Sequence, residues 1–320
     1  MTPEIGVIYD NRYKLIKQLG KGGFASTFLA EDLKTESKVV MKLPDVMQLG
    51  DPAVYERFRR EISIGKILDN PDIPKALTFS EGNPPYIIME YAEGESLADI
   101  MRRKKYFSVD EAVKLTVNLL KTLYYCHQKG IYHRDIKPEN LMLGLDGHLK
   151  IIDFGISNIK GSPRVTYRGF SSLTGTPEYM APEQIKGERG GAETDIYAVG
   201  CLIYNLLAGV PPFTNDNPLT VMYQHMTADI RPLTEIRKDV SPYLWGAIKK
   251  SLFRRKEERY SSALDMAKHL ESPEKSDIEL VNKPDPPLTA VVYSKKRTWI
   301  IAFIFAILIL GIIILVAFMK

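Results

Sequence analysis

The side chains with the clearest capacity for chemistry form one run, His133-Arg134-Asp135-Ile136-Lys137-Pro138-Glu139-Asn140, and thirteen positions after it comes Asp153-Phe154-Gly155. Asp135 can accept the proton of a hydroxyl group and orient that group as a nucleophile. Asn140 and Asp153 offer oxygen ligands of the kind that Mg²⁺ prefers, and Lys137 can neutralise charge on a migrating phosphoryl group. Because phosphoryl transfer needs mostly positioning and electrostatic stabilisation, the run predicts that chemistry.

A glycine-rich turn, Gly20-Lys21-Gly22-Gly23-Phe24-Ala25, lies between two predicted strands. Glycines let such a turn fold closely over phosphates and offer backbone N–H groups to their oxygens. The turn alone is a weak signal, since most glycine-rich turns bind nothing. It is not a dinucleotide fingerprint, because no helix follows, and it lacks the Gly-Lys-Ser/Thr of a nucleotide P-loop.

Lys42 ends the apolar run Val39-Val40-Met41, about twenty positions after the first glycine. Most strand lysines are exposed edge residues, but this position is a better candidate for a fixed phosphate ligand. Such a lysine needs a carboxylate partner, and Glu61 on a predicted helix is the natural choice.

These motifs resemble those of the eukaryotic-type Ser/Thr protein kinase family and, within it, those of bacterial membrane-anchored members. The resemblance covers about Tyr13 to Leu270. It implies an α+β, bilobal fold, with a β-rich N-lobe, a helical C-lobe and ATP in the cleft between them. We therefore expect a kinase domain at 13–271, made of the N-lobe 13–89, the hinge 90–94 and the C-lobe 95–271. The expected cofactors are ATP and Mg²⁺, with Mn²⁺ as the alternative ion.

The resemblance also implies roles for individual residues. Asp135, Lys137 and Asn140 would be catalytic, and Asn140 and Asp153 would bind the metal ion. The expected nucleotide-binding residues are Leu19, Gly20, Lys21, Gly22, Gly23, Phe24, Ala25, Thr27, Val40, Lys42, Glu61, Met89, Glu90, Ala92, Met142 and Asp153. Ala25 replaces the usual third glycine and Thr27 the usual valine over adenine, but neither departure touches the catalytic set.

Other matches concern structure and control. Asp195 matches an aspartate that anchors the catalytic loop, and Glu183 with Arg259 matches a structural ion pair. Arg134 precedes the catalytic aspartate, an arrangement associated with a phosphorylated activation segment, which would carry about −1.5 to −2 charges on its phosphate. The candidate phosphorylation sites are Ser171, Ser172 and Thr174; the alternative is that these are simply solvated loop residues.

Lys137 together with Gly175-Thr176-Pro177-Glu178-Tyr179 resembles Ser/Thr kinases rather than tyrosine kinases. The expected substrates are proteins with Ser or Thr hydroxyls, and a homodimer would allow trans-autophosphorylation. A kinase-fold scaffold with weak or no catalysis is the main alternative, against which the intact Lys42, Glu61 and Asp135 argue. A small-molecule kinase is a second alternative, and the Gly-Thr-Pro-Glu-Tyr segment, suited to peptides, weighs against it.

The C-terminus is of a different character. Residues 299–319 carry no charge, and 21 residues of helix span roughly 31 Å, enough for a bilayer core. Lys295, Lys296 and Arg297 precede this stretch, so the positive-inside rule predicts a single-pass cell-membrane protein with a cytoplasmic kinase domain. Residues 272–298, polar and proline-bearing, are expected to form a flexible juxtamembrane linker. No signal peptide and no external sensor domain are expected.

Composition excludes some other classes of protein. The formal net charge of +4 is too small to indicate nucleic-acid binding. Cys126 and Cys201, in apolar contexts far apart in the chain, predict two reduced core thiols rather than a disulfide framework or a zinc site. The 45% of hydrophobic residues is ordinary for a globular protein with a real core.

The remaining sequence predicts the elements that must position these residues. Short strands are expected at 13–19, 26–30, 38–43 and 86–89, with a helix at about 53–68. Helices dominate afterwards. Ser96 with Asp99, and Ser108 with Glu111, have the spacing of capping boxes at two helix starts. A hairpin is expected at 141–152, turning at Asp146-Gly147.

Overall fold

The computed structural model describes residues 3–22, 25–45, 52–80, 82, 84–154, 158–159, 176–275 and 278–288. Within these ranges the side chains of 52–55, 57, 158–159 and 275 are not described. The chain divides into two units after Asp285. The elements and contacts given below all lie in the first unit.

A six-stranded antiparallel sheet forms the first part of the fold. Its strands are β1 Ile8–Tyr9, β2 Tyr13–Lys21, β3 Ala25–Asp32, β4 Ser37–Pro44, β5 Ala76–Ser80 and β6 Tyr86–Glu90, in the order β1-β2-β3-β4-β6-β5. Alternation along β4 buries Val39 and Met41 and turns Val40 and Lys42 the other way, because successive strand side chains point to opposite faces. The predicted strands are confirmed, each within two residues of its expected ends.

One helix, α1 Pro52–Ile67, packs against this sheet. Phe58 and Ile62 are buried with Ile87 of β6. Glu61 lies beside Ile62 and is itself only 8% exposed, so the apolar packing of α1 fixes where its carboxylate sits.

The rest of the first unit is mainly helical. Its helices are α2 Leu97–Arg103, α3 Val109–Gln128, α4 Pro182–Ile185, α5 Ala192–Ala208, α6 Pro218–Thr227, α7 Leu233–Ile236, α8 Pro242–Ser251, α9 Ala263–Glu271 and α10 Glu279–Asn282, and its strands are β7 Gly94–Ser96, β8 Ile131–Tyr132, β9 Leu141–Gly144, β10 Leu149–Ile151 and β11 Asn158–Ile159. Helix α5 is buried along almost its entire length and forms the centre of this part. Cys126 and Cys201 are both buried free thiols, as expected.

One of the two predicted capping boxes forms. Glu111 N–H donates to Ser108 Oγ at 3.3 Å, and Ser108 N–H donates to Glu111 Oε2 at 2.9 Å. Ser96 precedes α2 but its side chain makes no capping hydrogen bond, and the Asp99 carboxylate pairs with Arg102 instead, so that prediction was wrong. The reason is that Ser96 ends β7, where its backbone pairs with β9.

The hairpin prediction is confirmed. Strands β9 and β10 pair antiparallel, and Gly147 between them has φ +79°, a conformation that favours glycine. The hairpin matters for function, because β9 directly follows Asn140 and β10 leads to Asp153.

The start of the predicted linker differs from the expectation of a free tether. Helix α10 packs on α8, and Lys249 Nζ donates to the carbonyl oxygens of Val281 and Lys283, at 2.8 Å each. Asp285 lies against the buried Arg254 side chain, with Nη1 and Oδ2 3.2 Å apart. The expected flexibility is therefore wrong for 278–285, although the domain boundary at 271 stays a prediction.

Among the described residues, no helix has both the length and the apolar character needed to cross a bilayer. The predicted span, 299–319, lies outside the described residues, as does its basic flank.

Candidate active site

The glycine-rich turn joins β2 and β3 as a hairpin, as its sequence predicted. Lys21 pairs with Ser26, and Gly22 N–H donates to Ala25 O at 2.8 Å. A side chain built at Gly20 would meet nothing within 4 Å, so crowding by the protein does not explain the glycine there. Gly23 and Phe24 lie outside the described residues.

Lys42 lies at the centre of a three-residue ion network. Its Nζ is 2.6 Å from Glu61 Oε1 and 2.8 Å from Asp153 Oδ1. Burial alone would lower the pKa of the Lys42 ammonium, but the two carboxylates more than offset it and the pKa is raised. Burial also raises the pKa of Glu61, with Lys42 opposing it. The expected partner of Lys42 is therefore confirmed, and Asp153, 111 residues away in sequence, joins the pair.

The catalytic loop holds its three polar residues together. Asn140 Nδ2 donates to Asp135 O at 2.8 Å and to Asp135 Oδ2 at 3.0 Å. Lys137 Nζ lies 2.9 Å from Asp135 Oδ2. The short 3₁₀ turn Pro138–Asn140 carries the asparagine back toward the aspartate, and Asn140 itself is buried. The three catalytic candidates thus form one cluster.

Backbone contacts join this cluster to the lysine network. Ile152 N–H donates to Asn140 O at 3.0 Å, and His133 Nε2 hydrogen-bonds the Asp153 carbonyl oxygen. The His133 ring also meets the Phe154 ring, with centroids 5.0 Å apart. The run at 133–140, the pair Asp153 and Phe154, and Lys42 therefore belong to one site.

Asp195, at the start of α5, anchors the backbone of the catalytic loop at His133 and Arg134. Its fully buried carboxylate accepts from the backbone N–H of His133 at 2.9 Å and of Arg134 at 2.6 Å, and it lies 2.8 Å from His127 Nε2. Burial would raise the pKa of Asp195, but these hydrogen bonds and His127 lower it below its ordinary value. Arg134 has φ +67°, an unusual conformation for a residue with a side chain, and the two-pronged contact with Asp195 accounts for its persistence.

The expected adenine-lining residues share one property, which is incomplete burial. Val40, Met89 and Met142 are half-buried. Val40 lies between the buried Val39 and Met41 and points to the opposite face of β4, whereas Met89 packs against the cluster of Phe58, Ile62 and Ile87. Val40 and Met89 pair across β4 and β6, and Thr27 pairs with Lys42 across β3 and β4. Leu19 is exposed, and Ala25 and Ala92 are half-buried.

Glu90 is constrained in a way that its sequence context did not indicate. Its N–H donates to Lys75 O at 2.9 Å, and its carboxylate accepts from Lys75 N–H at 3.0 Å. Of its two backbone groups, only the carbonyl is thus a candidate for contact with adenine.

The structural ion pair forms as expected. Both Arg259 terminal nitrogens lie 2.8 Å from Glu183 carboxylate oxygens, with both side chains buried. Thr194 Oγ1 adds a hydrogen bond to Glu183 Oε1 at 2.7 Å. Burial would raise the pKa of Glu183, but Arg259 lowers it overall.

The activation segment is only partly described. Ser171, Ser172 and Thr174, the candidate phosphorylation sites, lie outside the described residues. Arg134 donates to Gly190 O, and its Nε is buried without a hydrogen-bond partner in the part of the chain that the structure describes.

Sequence reasoning missed several supporting residues. Each makes a polar contact in the interior of the helical part. His127 contacts Asp195 of α5, Gln184 contacts the backbone of Arg134 in the catalytic loop, and His225 contacts Tyr197 of α5. Gln184 directly follows Glu183 of the expected ion pair, and its amide donates to Arg134 O at 2.9 Å. The two histidines carried no signal in a single sequence.

A strand-rich lobe and a helical lobe with a lysine–carboxylate network and an aspartate–asparagine loop define a phosphotransfer-type site. The model of the protein kinase domain matches residues 13–272. The chain therefore belongs to the protein kinase family.

Three curated relatives illustrate the similarity. The chain is 35% identical over 262 residues to the serine/threonine-protein kinase PknB of Mycolicibacterium smegmatis, covering 80% of this chain and 42% of the relative. It is 33% identical over 283 residues to PknB of Mycobacterium tuberculosis, covering 87% and 44%. It is 34% identical over 266 residues to the probable serine/threonine-protein kinase SCO3848 of Streptomyces coelicolor, covering 82% and 40%. The chain spans less than half the length of these relatives.

Proposed function

We propose that this protein is a Ser/Thr protein kinase that transfers the γ-phosphoryl group of ATP to Ser and Thr hydroxyls of proteins. The observation that carries the proposal is the 2.8 Å contact between Lys42 and Asp153, which joins the strand lysine to the Asp-Phe-Gly triplet while Glu61 holds the same ammonium at 2.6 Å. Membership of the family and the printed names of the relatives support it.

The residues present fit ATP with a hard divalent cation. Asn140 uses its Nδ2 on Asp135, which leaves the amide oxygen as its ligand atom, and Asp153 adds carboxylate oxygen; both are donors that suit Mg²⁺. Mg²⁺, or Mn²⁺ in its place, would neutralise charge on the phosphates. Lys42 would bind the same phosphates, and residues 19–27 would cover them.

Each catalytic residue would then have one task. Asp135 would accept a hydrogen bond from the substrate hydroxyl and orient it for attack. Lys137, 2.9 Å from the same carboxylate, would offset negative charge that develops beside it. Asn140 would hold Asp135 in place through the two hydrogen bonds of its amide. Asp195 would keep the loop in the unusual backbone conformation at Arg134.

The decisive experiment compares wild type with Asp135→Asn in labelled ATP, Mg²⁺ and a generic basic protein. Asp135→Asn keeps the shape of the side chain but removes the carboxylate. Label on protein only with wild type supports the kinase, and label with neither supports the scaffold. Label on a small molecule but on no protein would point to a small-molecule kinase. Phosphoamino-acid analysis of the product tests the Ser/Thr assignment.

We further propose autophosphorylation of Ser171, Ser172 or Thr174. Arg134 supports this, because its partly buried guanidinium lies near the cationic Arg189 and Arg60, and burial with these neighbours lowers its pKa. A phosphate would relieve that repulsion. Mass spectrometry of active protein tests the idea, and the absence of phosphate from all three residues would remove it.

A membrane-anchored, single-pass arrangement with a cytoplasmic kinase domain is a separate proposal. It rests on the uncharged stretch 299–319 and its basic flank. Fractionation of the full chain, compared with a chain ending at 288, tests it. If the span promotes homodimerisation and trans-autophosphorylation, replacing it by a soluble linker should weaken activation and leave basal activity. Equal activation at matched concentration would disprove clustering.

A further inference from the structure

His225 is a buried histidine that none of the chemistry above uses. It lies on α6 with no exposed surface, between α5 and the 3₁₀ turn Pro177–Tyr179. Its Nδ1 is 2.7 Å from the hydroxyl of Tyr197 on α5. Its ring also meets Phe213 edge to face, with centroids 4.9 Å apart. The imidazole therefore has a defined orientation.

The protonation state follows from these surroundings. Burial lowers the pKa of His225 to about 3, although the backbone of Pro177 and Glu178 opposes the shift. The imidazole is thus neutral at physiological pH and carries one N–H. Because Nδ1 is engaged with the Tyr197 hydroxyl and the Pro177 and Glu178 backbone groups act on the imidazole, we assign the proton to Nε2, with Nδ1 accepting from Tyr197. Burial keeps that hydroxyl protonated by raising its pKa.

The Nε2–H group is not fully satisfied. It makes no hydrogen bond of ordinary geometry within the described residues, although the Pro177 and Glu178 backbone groups are near enough to affect its pKa. A buried donor in this state gains free energy from any small shift of the turn that completes the bond. The other end of the turn is fixed, since Tyr179 Oη accepts from Asn205 Nδ2 at 2.7 Å.

We propose that His225, oriented by Tyr197, is a positioning residue for the peptide substrate. It sets the position of the turn Pro177–Tyr179 by offering Nε2–H to the turn's carbonyl groups, and it acts through that turn without touching ATP. The inference rests on the proposed function, because the turn belongs to the segment Gly175-Thr176-Pro177-Glu178-Tyr179, whose resemblance to Ser/Thr kinases implies contact with a peptide. It makes α5 and α6 part of the substrate site.

Two substitutions separate this role from general stability. Tyr197→Phe removes only the hydroxyl that orients the imidazole. Tyr204→Phe is its matched control, since Tyr204 is a buried tyrosine of the same helix whose hydroxyl donates to Arg231 O instead. His225→Phe removes both ring nitrogens, whereas His225→Gln restores a donor near the position of Nε2.

The measurements are KM for a Ser-containing basic peptide, KM for ATP, kcat, and hydrogen exchange at the Tyr179 and Met180 amides. Tyr197→Phe and His225→Phe should raise the peptide KM about three- to tenfold, the size of one net hydrogen bond, and leave the ATP KM unchanged. His225→Gln should lie nearer to wild type. Exchange at the two amides should be faster in Tyr197→Phe than in Tyr204→Phe.

The proposal is overturned if Tyr197→Phe and Tyr204→Phe match in both peptide KM and amide exchange, or if peptide and ATP KM rise together. A wild type that phosphorylates no peptide would count against the proposed function instead. The amide exchange rates, which need no turnover, would then decide the positioning role alone.

Discussion

Residues 278–285 should stabilise the kinase lobe, although their composition indicates a linker. Arg254, with a side chain only 3% exposed, faces Asp285. Val281 packs against the main core, and Lys249 donates to two carbonyl groups of the segment. Removing the segment would expose part of the core surface and leave the buried guanidinium with only the more distant carboxylate of Asp229, 3.5 Å from its Nη2.

The magnitude can be worked from these contacts. A hydrogen bond to a charged group contributes about 1.5–3 kcal/mol, and burial of a valine that is only half-buried adds about 1 kcal/mol. Arg254 keeps its hydrogen bond to Ala228 O, so the full penalty of an unpaired buried charge does not apply. We therefore expect a chain ending at 271 to be about 2–4 kcal/mol less stable than one ending at 288. That corresponds to a fall in Tm of roughly 5–10 °C.

The assay is urea and thermal unfolding of the two chains. Asp285→Ala in the longer chain should reproduce about half of the loss. Glu274→Ala, at an exposed residue that the truncation also removes but that precedes 278–285, should change little. If the two chains unfold at the same urea concentration and temperature, the contacts at 278–285 contribute nothing and the reasoning is refuted.

Three further expectations can be checked separately. Lys42→Met should lower kcat about 10²–10³-fold with the fold intact by circular dichroism, since it removes a fixed cation from the phosphate site; activity within threefold of wild type would contradict this. The folded-state pKa of Glu183 lies below its ordinary value of 4.5, because Arg259 stabilises the carboxylate. The free energy of unfolding that this pairing contributes is therefore present above pH 4.5 and lost as pH falls through the folded pKa. Urea unfolding of Glu183→Gln should consequently depend less on acid pH than unfolding of wild type. Burial raises the pKa of Cys126 to about 12 and that of Cys201 further, so neither thiol should react with alkylating reagents until the protein is unfolded; rapid native labelling would show that the site opens.

Much of the fold could be predicted because its signals are local. The alternation along β4 and the Asp146-Gly147 turn each act over a few neighbouring residues. The capping-box prediction for Ser96 was wrong for a tertiary reason, since pairing of β7 with β9 fixes the Ser96 backbone. The packing of the segment 278–285 was missed because its proline and charges indicate a linker. The residues that bind it, Arg254 and Lys249, lie about thirty residues earlier in the chain.

The candidate site shows the same division between local and tertiary information. Asp135, Lys137 and Asn140 could be found because one short loop carries all three at a characteristic spacing. Lys42 and Glu61 could be paired only by supposing a carboxylate partner, and the contact at 2.6 Å bears that out. His127 and His225 could not be found, because the choice of partner for a lone buried polar group is a tertiary property.

The buried polar residues behind the site, both the expected Asp195 and the undetected His225, have a common physical position, which indicates why they are needed. The groups that would meet ATP or a hydroxyl are partly exposed, so burial alone does not determine the positions of their side chains. Asp153, for example, keeps 44% of its side chain exposed. A carboxylate of this kind is held only by what surrounds it. Asp195 and His225 lie beneath the loop and the turn, fully buried, where each hydrogen bond is strengthened by the low local dielectric. The precision of the exposed site therefore resides in buried polar residues on α5 and α6, and substitutions there should change function before they change the fold.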